Sequence, residues 1–286
     1  MQDALDAVID LLDLEPIEVN IFRGLSPDED RQRVFGGQVA GQALVAAART
    51  VEEGTVHSLH AYFLRPGDPR APLLYEVDRI RDGRSFTTRR VVAIQHGRPI
   101  FNLAASFHRP EEGFEHQFTR PDAPDPESLP DFAARVRANP EVPDDWADQP
   151  RPIDTRYITA TPIERAEPQP PFQQVWFRAN GELPDDPVLH TCLLTYASDM
   201  TLLDTTLLPH GTGSIHDDIM MASLDHAMWF HAPFRADEWM LYDQDTPFSG
   251  GGRGLARGLV YSRGGDLIAS VMQEGLIRRI HAVPDD

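Results

Sequence analysis

Three side chains in this sequence could do chemistry, and each stands out by its setting, since no familiar signature contains it. Asp199 closes an apolar run, LLTYASD, and is followed by MTLLDTTLL. A carboxylate in apolar surroundings near a helix C-terminus has its pKa raised by burial and by the negative helix end, which suits a general base. The plainer reading is a helix-end acid facing water. Gln273 lies in LIASVMQEG, where period-two alternation puts Leu267, Ala269, Val271 and Gln273 on one face. A glutamine that continues an apolar face must be hydrogen-bonded or must orient something, unless the strand ends there and leaves it exposed. Ser223 lies in MASLDHAMWF and either caps a neighbour or reaches a site. His226 falls on the opposite face of a regular strand, so the two enter one pocket only across a bulge. Gly36-Gly37-Gln38 opens a helical pattern. Backbone N–H groups at a helix start bind an oxyanion or phosphate, although a glycine pair also simply permits close packing.

Other chemistries fall away. There is no GxSxG elbow, no HExxH, no GxGxxG after a predicted strand, and no metal-ligand spacing among the histidines. All 26 basic residues are arginine. Without lysine there is no Schiff base and no Walker A motif. The single cysteine, Cys192, builds neither a disulfide framework nor a CxxC site and reads as core. A formal net charge of −19 argues against nonspecific nucleic-acid binding and against docking on anionic lipid. The N-terminus lacks the positive region of a signal peptide, and no apolar run approaches the roughly 20 residues of a membrane span. These points give the expectation of a cytoplasmic protein with no nucleic-acid and no membrane partner.

The elements that must position these residues come in two similar sets. Helical patterns begin near Gly36 and run through PVLHTCLLTYASDM, where Leu189, Cys192, Leu193, Tyr196 and Ala197 follow helical spacing. Each is followed by four β-rich segments with turn signals at DG, HG or GG. RRVVAIQHGRPIFNLAASF lines up with ARGLVYSRGGDLIASVMQE, Gly97 over Gly265, at an offset of roughly 168 residues. Gly254, Ala256 and Gly258 share a strand face that lets a helix pack close. Twelve of the 25 prolines lie between Pro121 and Pro171. Proline fixes φ and removes a donor, so this stretch reads as an extended connector with a short helix at Leu129–Ala138. The expected organisation is an N-terminal domain 1–120, a Pro/acid-rich linker 121–150 and a C-terminal domain 151–286.

These stretches closely resemble the acyl-CoA thioesterase II family. The likeness runs through IFRG (21–24), VFGGQVAGQAL (34–44), VHSLHAYFLRPGD (56–68), RDGRSFTTRRVVAIQHGRPIF (81–101) and GFEHQ (113–117). It continues through QVWFRANG (174–181), LLTYASD (193–199), LLPHG (207–211), SLDHAMWFH (223–231) and VMQEG (271–275). The resemblance implies an α+β double hotdog: two antiparallel sheets, each wrapped around a central helix and joined edge to edge. It implies hydrolysis of acyl-CoA to fatty acid and CoA by a water that an Asp, a Ser or Thr, and a Gln position; these fall on Asp199, Ser223 and Gln273. His60, in VHSLH, is a second-rank candidate. The first half has Gln42 and Ala43 in its helix and no matching Asp. No cofactor or metal is implied, and family habit suggests a homodimer or homotetramer.

Several finer expectations follow for an acyl-CoA substrate. Backbone N–H groups near Gly37 are expected to stabilise the oxyanion. Arg81, Arg84, Arg253, Arg257 and Arg263, at strand ends or hairpins, are candidates for the CoA phosphates. Met220, Met221, Met228, Trp229 and Phe230 are candidates for the acyl tunnel. A cationic patch is expected beside Asp199 and Gln273, because the ligand is itself an anion. Two other functions stay open: a non-hydrolytic acyl-CoA binding protein, and a hotdog enoyl-CoA hydratase or dehydratase using a His/Asp pair.

Overall fold

The glycine pair does open a helix. In the computed structural model, which describes every residue except 1, 28–31, 141, 144, 166, 213–218 and 281–286, α1 spans Gln2–Leu12 and α2 spans Gly36–Ala48. The first half adds β1 (Glu15–Glu18), β2 (Ile21–Gly24), β3 (Thr55–Phe63), β4 (Leu73–Asp82), β5 (Phe86–Gln95) and β6 (Arg98–His108). Two short helices follow, α3 (Phe132–Ala138) and α4 (Asp145–Asp148). The second half holds β7 (Ile153–Tyr157), β8 (Phe172–Ala179), α5 (Pro187–Ser198), β9 (Ile219–Ser223), β10 (Asp225–Phe230), β11 (Met240–Gly250), β12 (Arg253–Ser262) and β13 (Leu267–Arg279).

The strands form one antiparallel sheet in the order β1-β2-β4-β5-β6-β3-β10-β13-β12-β11-β8-β7, with β9 pairing β13. Read outward from the central β3–β10 seam, the two halves repeat each other strand for strand: β3-β6-β5-β4-β2-β1 against β10-β13-β12-β11-β8-β7. The duplication seen in the last hairpins therefore extends through the architecture. Gly97 and Gly265 sit at equivalent hairpin tips with φ of +69° and +106°, a region that side-chain-bearing residues avoid.

The two long helices lie against each other under the curled sheet. In α2 every residue from Gly37 to Ala47 is buried. α5 is also buried on most sides, including His190, Leu194, Thr195 and Ser198, beyond the single face its periodicity marks. Sequence chemistry sets its start: Pro187 needs no partner for a missing N–H at the first turn, and Asp186 accepts from the Val188 N–H at 2.9 Å. Against the small face of β12 sits a 3-10 segment, Leu203–His210, in place of a long helix. A Cβ at Gly254 would lie 2.8 Å from Thr206, and one at Gly258 would enter the Tyr242 ring.

Residues 121–150 do more than connect. Ala123 and Leu129 pack on Trp176, Trp239, Leu241 and Tyr261, a second apolar cluster on the outer face of the C-terminal sheet. The Trp176 indole N–H donates to the Pro124 carbonyl (2.9 Å) and that of Trp239 to Glu127 (3.1 Å). The expected short helix is α3, starting three residues later than its sequence bounds because Asp131 caps it through the Ala134 N–H.

Candidate active site

The C-terminus of α5 meets the N-terminus of α2, and Asp199 lies at the junction. It is the C-cap of α5 and only partly exposed. Phe35, at the N-cap of α2, offers no side-chain acceptor to the helix start. The acceptor comes from the other helix, because the Gly37 backbone N–H donates to Asp199. This close crossing explains both glycines. A Cβ at Gly36 would stand 2.8 Å from the Asp199 carboxylate, and one at Gly37 would stand 2.4 Å from the Tyr196 carbonyl oxygen. The expected role of the Gly37 N–H as an oxyanion donor is corrected accordingly: it faces the aspartate.

Gln273 and Ser223 converge on the same carboxylate. Gln273 is fully buried, on β13, and its Nε2 donates to Asp199 Oδ1 at 2.5 Å. Its Oε1, also buried, takes no hydrogen bond from any described residue. The Ser223 hydroxyl, at the end of β9, lies 3.4 Å from the same Asp199 oxygen. Burial raises the Asp199 carboxyl to about 6, against the lowering pull of its bonds to Gln273, Gly37 and Ser223.

The bulge that Ser223 and His226 required is present. Ser223 faces Gly275 across β13, whereas Ala227 faces Met272, so one extra residue is fitted on the Ser223 side. Asp225 fills the gap by accepting the Glu274 N–H at 2.7 Å. His226 is thereby turned inward, where its Nε2 lies 2.8 Å from Ser198 Oγ. Burial pushes its pKa down to about 4, leaving a neutral core imidazole.

Asp199 and Ser223 border a cavity of about 600 Å³, whose wall also includes Phe63, Phe101, Leu203, Met220 and Met221, while Gln273 is buried behind Asp199. Two of the expected tunnel residues, Met220 and Met221, line it. The other three do not: Met228 is fully buried, Phe230 packs on the core, and Trp229 lies on the outer face of the sheet, 5.1 Å from the His60 ring. His60 is corrected by the same pairing. Strand alternation puts Leu59 and Ala61 inward and His60 outward, so the sheet separates it from Asp199.

The expected arginines are elsewhere too. Arg253 pairs with Glu274, Arg257 with Asp245, and Arg263 with Asp125 and Glu127. Arg81 and Arg84 belong to the β4–β5 hairpin and do not border the cavity. Among the described residues, the cations that do border it are Arg33, which donates to the Met221 carbonyl (2.7 Å), and Arg65, which donates to the Pro99 carbonyl (2.5 Å). Sequence reasoning missed both. Arg65 follows β3, and only the β3–β10 pairing, with Phe63 N–H donating to the Leu224 carbonyl, brings it beside Ser223.

Among the described residues, the first half holds no copy of this site. At the 168-residue offset, Ala105 stands where Gln273 stands, and it is buried. The end of α2 is filled by Arg89, fully buried, which donates to the Thr50 hydroxyl (2.8 Å) and carbonyl (2.9 Å).

A repeated helix-under-sheet unit, paired through its central strands, with one polar trio at a helix junction, defines a double hotdog. Family models described as "Acyl-CoA thioesterase" and "Acyl-CoA thioesterase N-terminal domain" match residues 165–276 and 26–108. The chain is 43% identical to acyl-coenzyme A thioesterase 8 of Homo sapiens, covering 95% of this chain and 88% of that one. It is 42% identical to acyl-CoA thioesterase 2 of Haemophilus influenzae, covering 97% and 99%. Among solved structures, the acyl-CoA thioesterase II TesB2 of Mycobacterium marinum superposes with a TM-score of 0.80 at 46% identity, covering 96% and 99%. The chain belongs to the acyl-CoA thioesterase II family of thioester hydrolases.

Proposed function

We propose that the protein hydrolyses fatty acyl-CoA to a fatty acid and CoA through a water held by Asp199, Ser223 and Gln273. The observation that carries this is the convergence of Gln273 Nε2 and the Ser223 hydroxyl on Asp199, a carboxylate raised to about 6 that stands on the cavity wall. A water on that wall would lie within reach of both Asp199 and Ser223. Asp199, ionised above pH 6, takes a proton as the water oxygen attacks the thioester carbonyl carbon. The tetrahedral intermediate then expels the thiolate, which recovers the proton from Asp199. The Gly37 N–H and Gln273 Nε2 hold the carboxylate in place, and Ser223 directs the water. The apolar wall at Phe63, Leu203, Met220 and Met221 suits the acyl chain next to the carbonyl.

Thiol release from acyl-CoA, read with a thiol reagent across chain lengths, tests this. General-base assistance is worth ~10²–10⁴ in rate, so Asp199→Asn should lose activity by that factor with its fold retained. Near-normal release by Asp199→Asn would exclude the mechanism. Binding without turnover in the parent protein would favour the carrier reading instead. The hydratase reading lacks support at the cavity, since none of its described lining residues is histidine. Assembly as a homodimer or homotetramer belongs to the same reading, supported by Tyr62, Trp229 and Met272 standing exposed on the outer face of the central strands. Sedimentation measures it.

A further inference from the structure

Beside the catalytic cavity lies a smaller chamber of about 290 Å³, lined by Arg65, Pro66, Asp68, Gln95, His96 and Arg98 together with Ile100. The two spaces share Arg65, Pro66 and Ile100. We propose that this chamber is the anchor for the phosphorylated end of the substrate, with Arg65 and Arg98 as its phosphate ligands. The assignment rests on the acyl-CoA reading above and deepens it.

Three observations carry it. The first is charge. Neither Arg65 nor Arg98 makes an ion pair among the described residues, whereas Arg253, Arg257 and Arg263 are each spent on nearby acids. In a chain of net charge −19, a site for a polyanion must be built from cations that are not already neutralised. Arginine is suited to it, since its planar fork meets phosphate oxygens in pairs.

The second is rigidity. Gln95 is almost wholly buried, and both ends of its amide are engaged with the loop after β3. Its Oε1 accepts from the Asp68 N–H (2.8 Å), and its Nε2 donates to the carbonyls of Asp68 (2.9 Å) and Ala71 (2.8 Å). His96 and Gly97 at the β5–β6 tip have φ of +50° and +69°, the conformation of the tightest hairpin turns. The His96 ring lies 3.0 Å from Asp68, which ties that tip to the loop carrying Arg65. The two arginines are therefore mounted on elements already locked together. Asp68, the acid of the lining, is occupied: one oxygen accepts from the Arg70 N–H at 2.9 Å and the other faces His96.

The third is size and place. Ligand pockets commonly run from about 300 to 1,000 Å³. A chamber at the bottom of that range suits one charged group at the end of a longer ligand, and its shared wall leads that ligand towards Asp199.

The test compares substrates with and without phosphates. Arg98→Ala and the double variant Arg65→Ala/Arg98→Ala are assayed on decanoyl-CoA and on the decanoyl thioester of pantetheine. Removing one charge-assisted contact should raise the KM for decanoyl-CoA about tenfold, with kcat held within twofold. The pantetheine ester should be unaffected by Arg98→Ala, whose side chain does not border the catalytic cavity. Equal losses on both substrates, or no change in KM for decanoyl-CoA, would overturn the assignment. Calorimetric titration with CoA and with pantetheine repeats the comparison without turnover, so it stands even if the parent protein releases no thiol. CoA should bind the parent at least tenfold more tightly than pantetheine, and the double variant should lose that difference. A difference retained in the double variant would refute the anchor while leaving the hydrolytic reading intact.

Discussion

At the residue scale, Asp199 is held in a compromise between burial and hydrogen bonding. Enclosure lifts its pKa to about 6, and three donors keep it from rising further. The proposed general base works in its ionised form, so kcat/KM should rise with pH along a limb of apparent pKa near 6 and level off above it. A limb near 4 would show that the carboxylate works in water-like surroundings. The same shift has a cost in stability. Because the folded pKa lies above the unfolded value, the folded state favours the protonated acid. That preference is fully present below about pH 4 and is lost as pH rises through 6. Each pKa unit is about 1.4 kcal/mol, so ionised Asp199 costs up to about 3 kcal/mol, less what solvent at the cavity wall returns. Asp199→Asn should therefore melt higher than the parent at pH 8, with the gain shrinking towards pH 4. Scanning calorimetry at the two pH values checks it. Asp199 was legible in the sequence because an acid ending an apolar helix is conspicuous. Its hydrogen-bond partner Gly37 was not, because it lies 162 positions away on another helix.

At the element scale, the site is made by two helix ends brought together. The carboxylate reaches the start of α2 only because no Cβ stands at Gly36 or Gly37. Gly37→Ala would place a carbon 2.4 Å from the Tyr196 carbonyl, a backbone atom that cannot rotate away. Overpacking of this kind costs about 1–3 kcal/mol, and here it also forces the helices apart and takes the N–H from Asp199. The variant should melt several degrees lower and lose most of its thiol release; near-parental values for both would show that the crossing has slack. The bulge at Ser223 is a second element-scale device. Without it, alternation would set Ser223 and His226 on opposite faces. The sequence posed that alternative, and the register across β13 decided it.

At the scale of the whole molecule, the proline-rich middle is part of the fold. Trp176 and Trp239 on the outer face of the second sheet are covered by residues 123–129 and hydrogen-bonded to them. Trp176→Ala should cost about 3–5 kcal/mol through the cavity it leaves. It should also expose 121–150 to protease well below the melting temperature, where the parent is resistant; limited proteolysis followed by mass spectrometry reads this directly. The acids at Asp125 and Glu127 neutralise Arg263, which is why an arginine that looked free for CoA is not. Asp125, Glu127, Asp245 and Glu274 are thus spent on arginines away from the cavity, whose wall keeps Arg33 and Arg65.

The sequence by itself determined the repeated helix-and-strand units and the family likeness, and offered the three polar residues as candidates, since these depend on local pattern and on composition. Only the tertiary structure decided which of them meet. The antiparallel crossing of α2 and α5 supplied Gly37, the β3–β10 seam supplied Arg65, and strand alternation removed His60. The physical reason is that a contact between distant segments depends on register and helix crossing. Both are set by how two buried surfaces fit each other, and neither segment carries that fit alone.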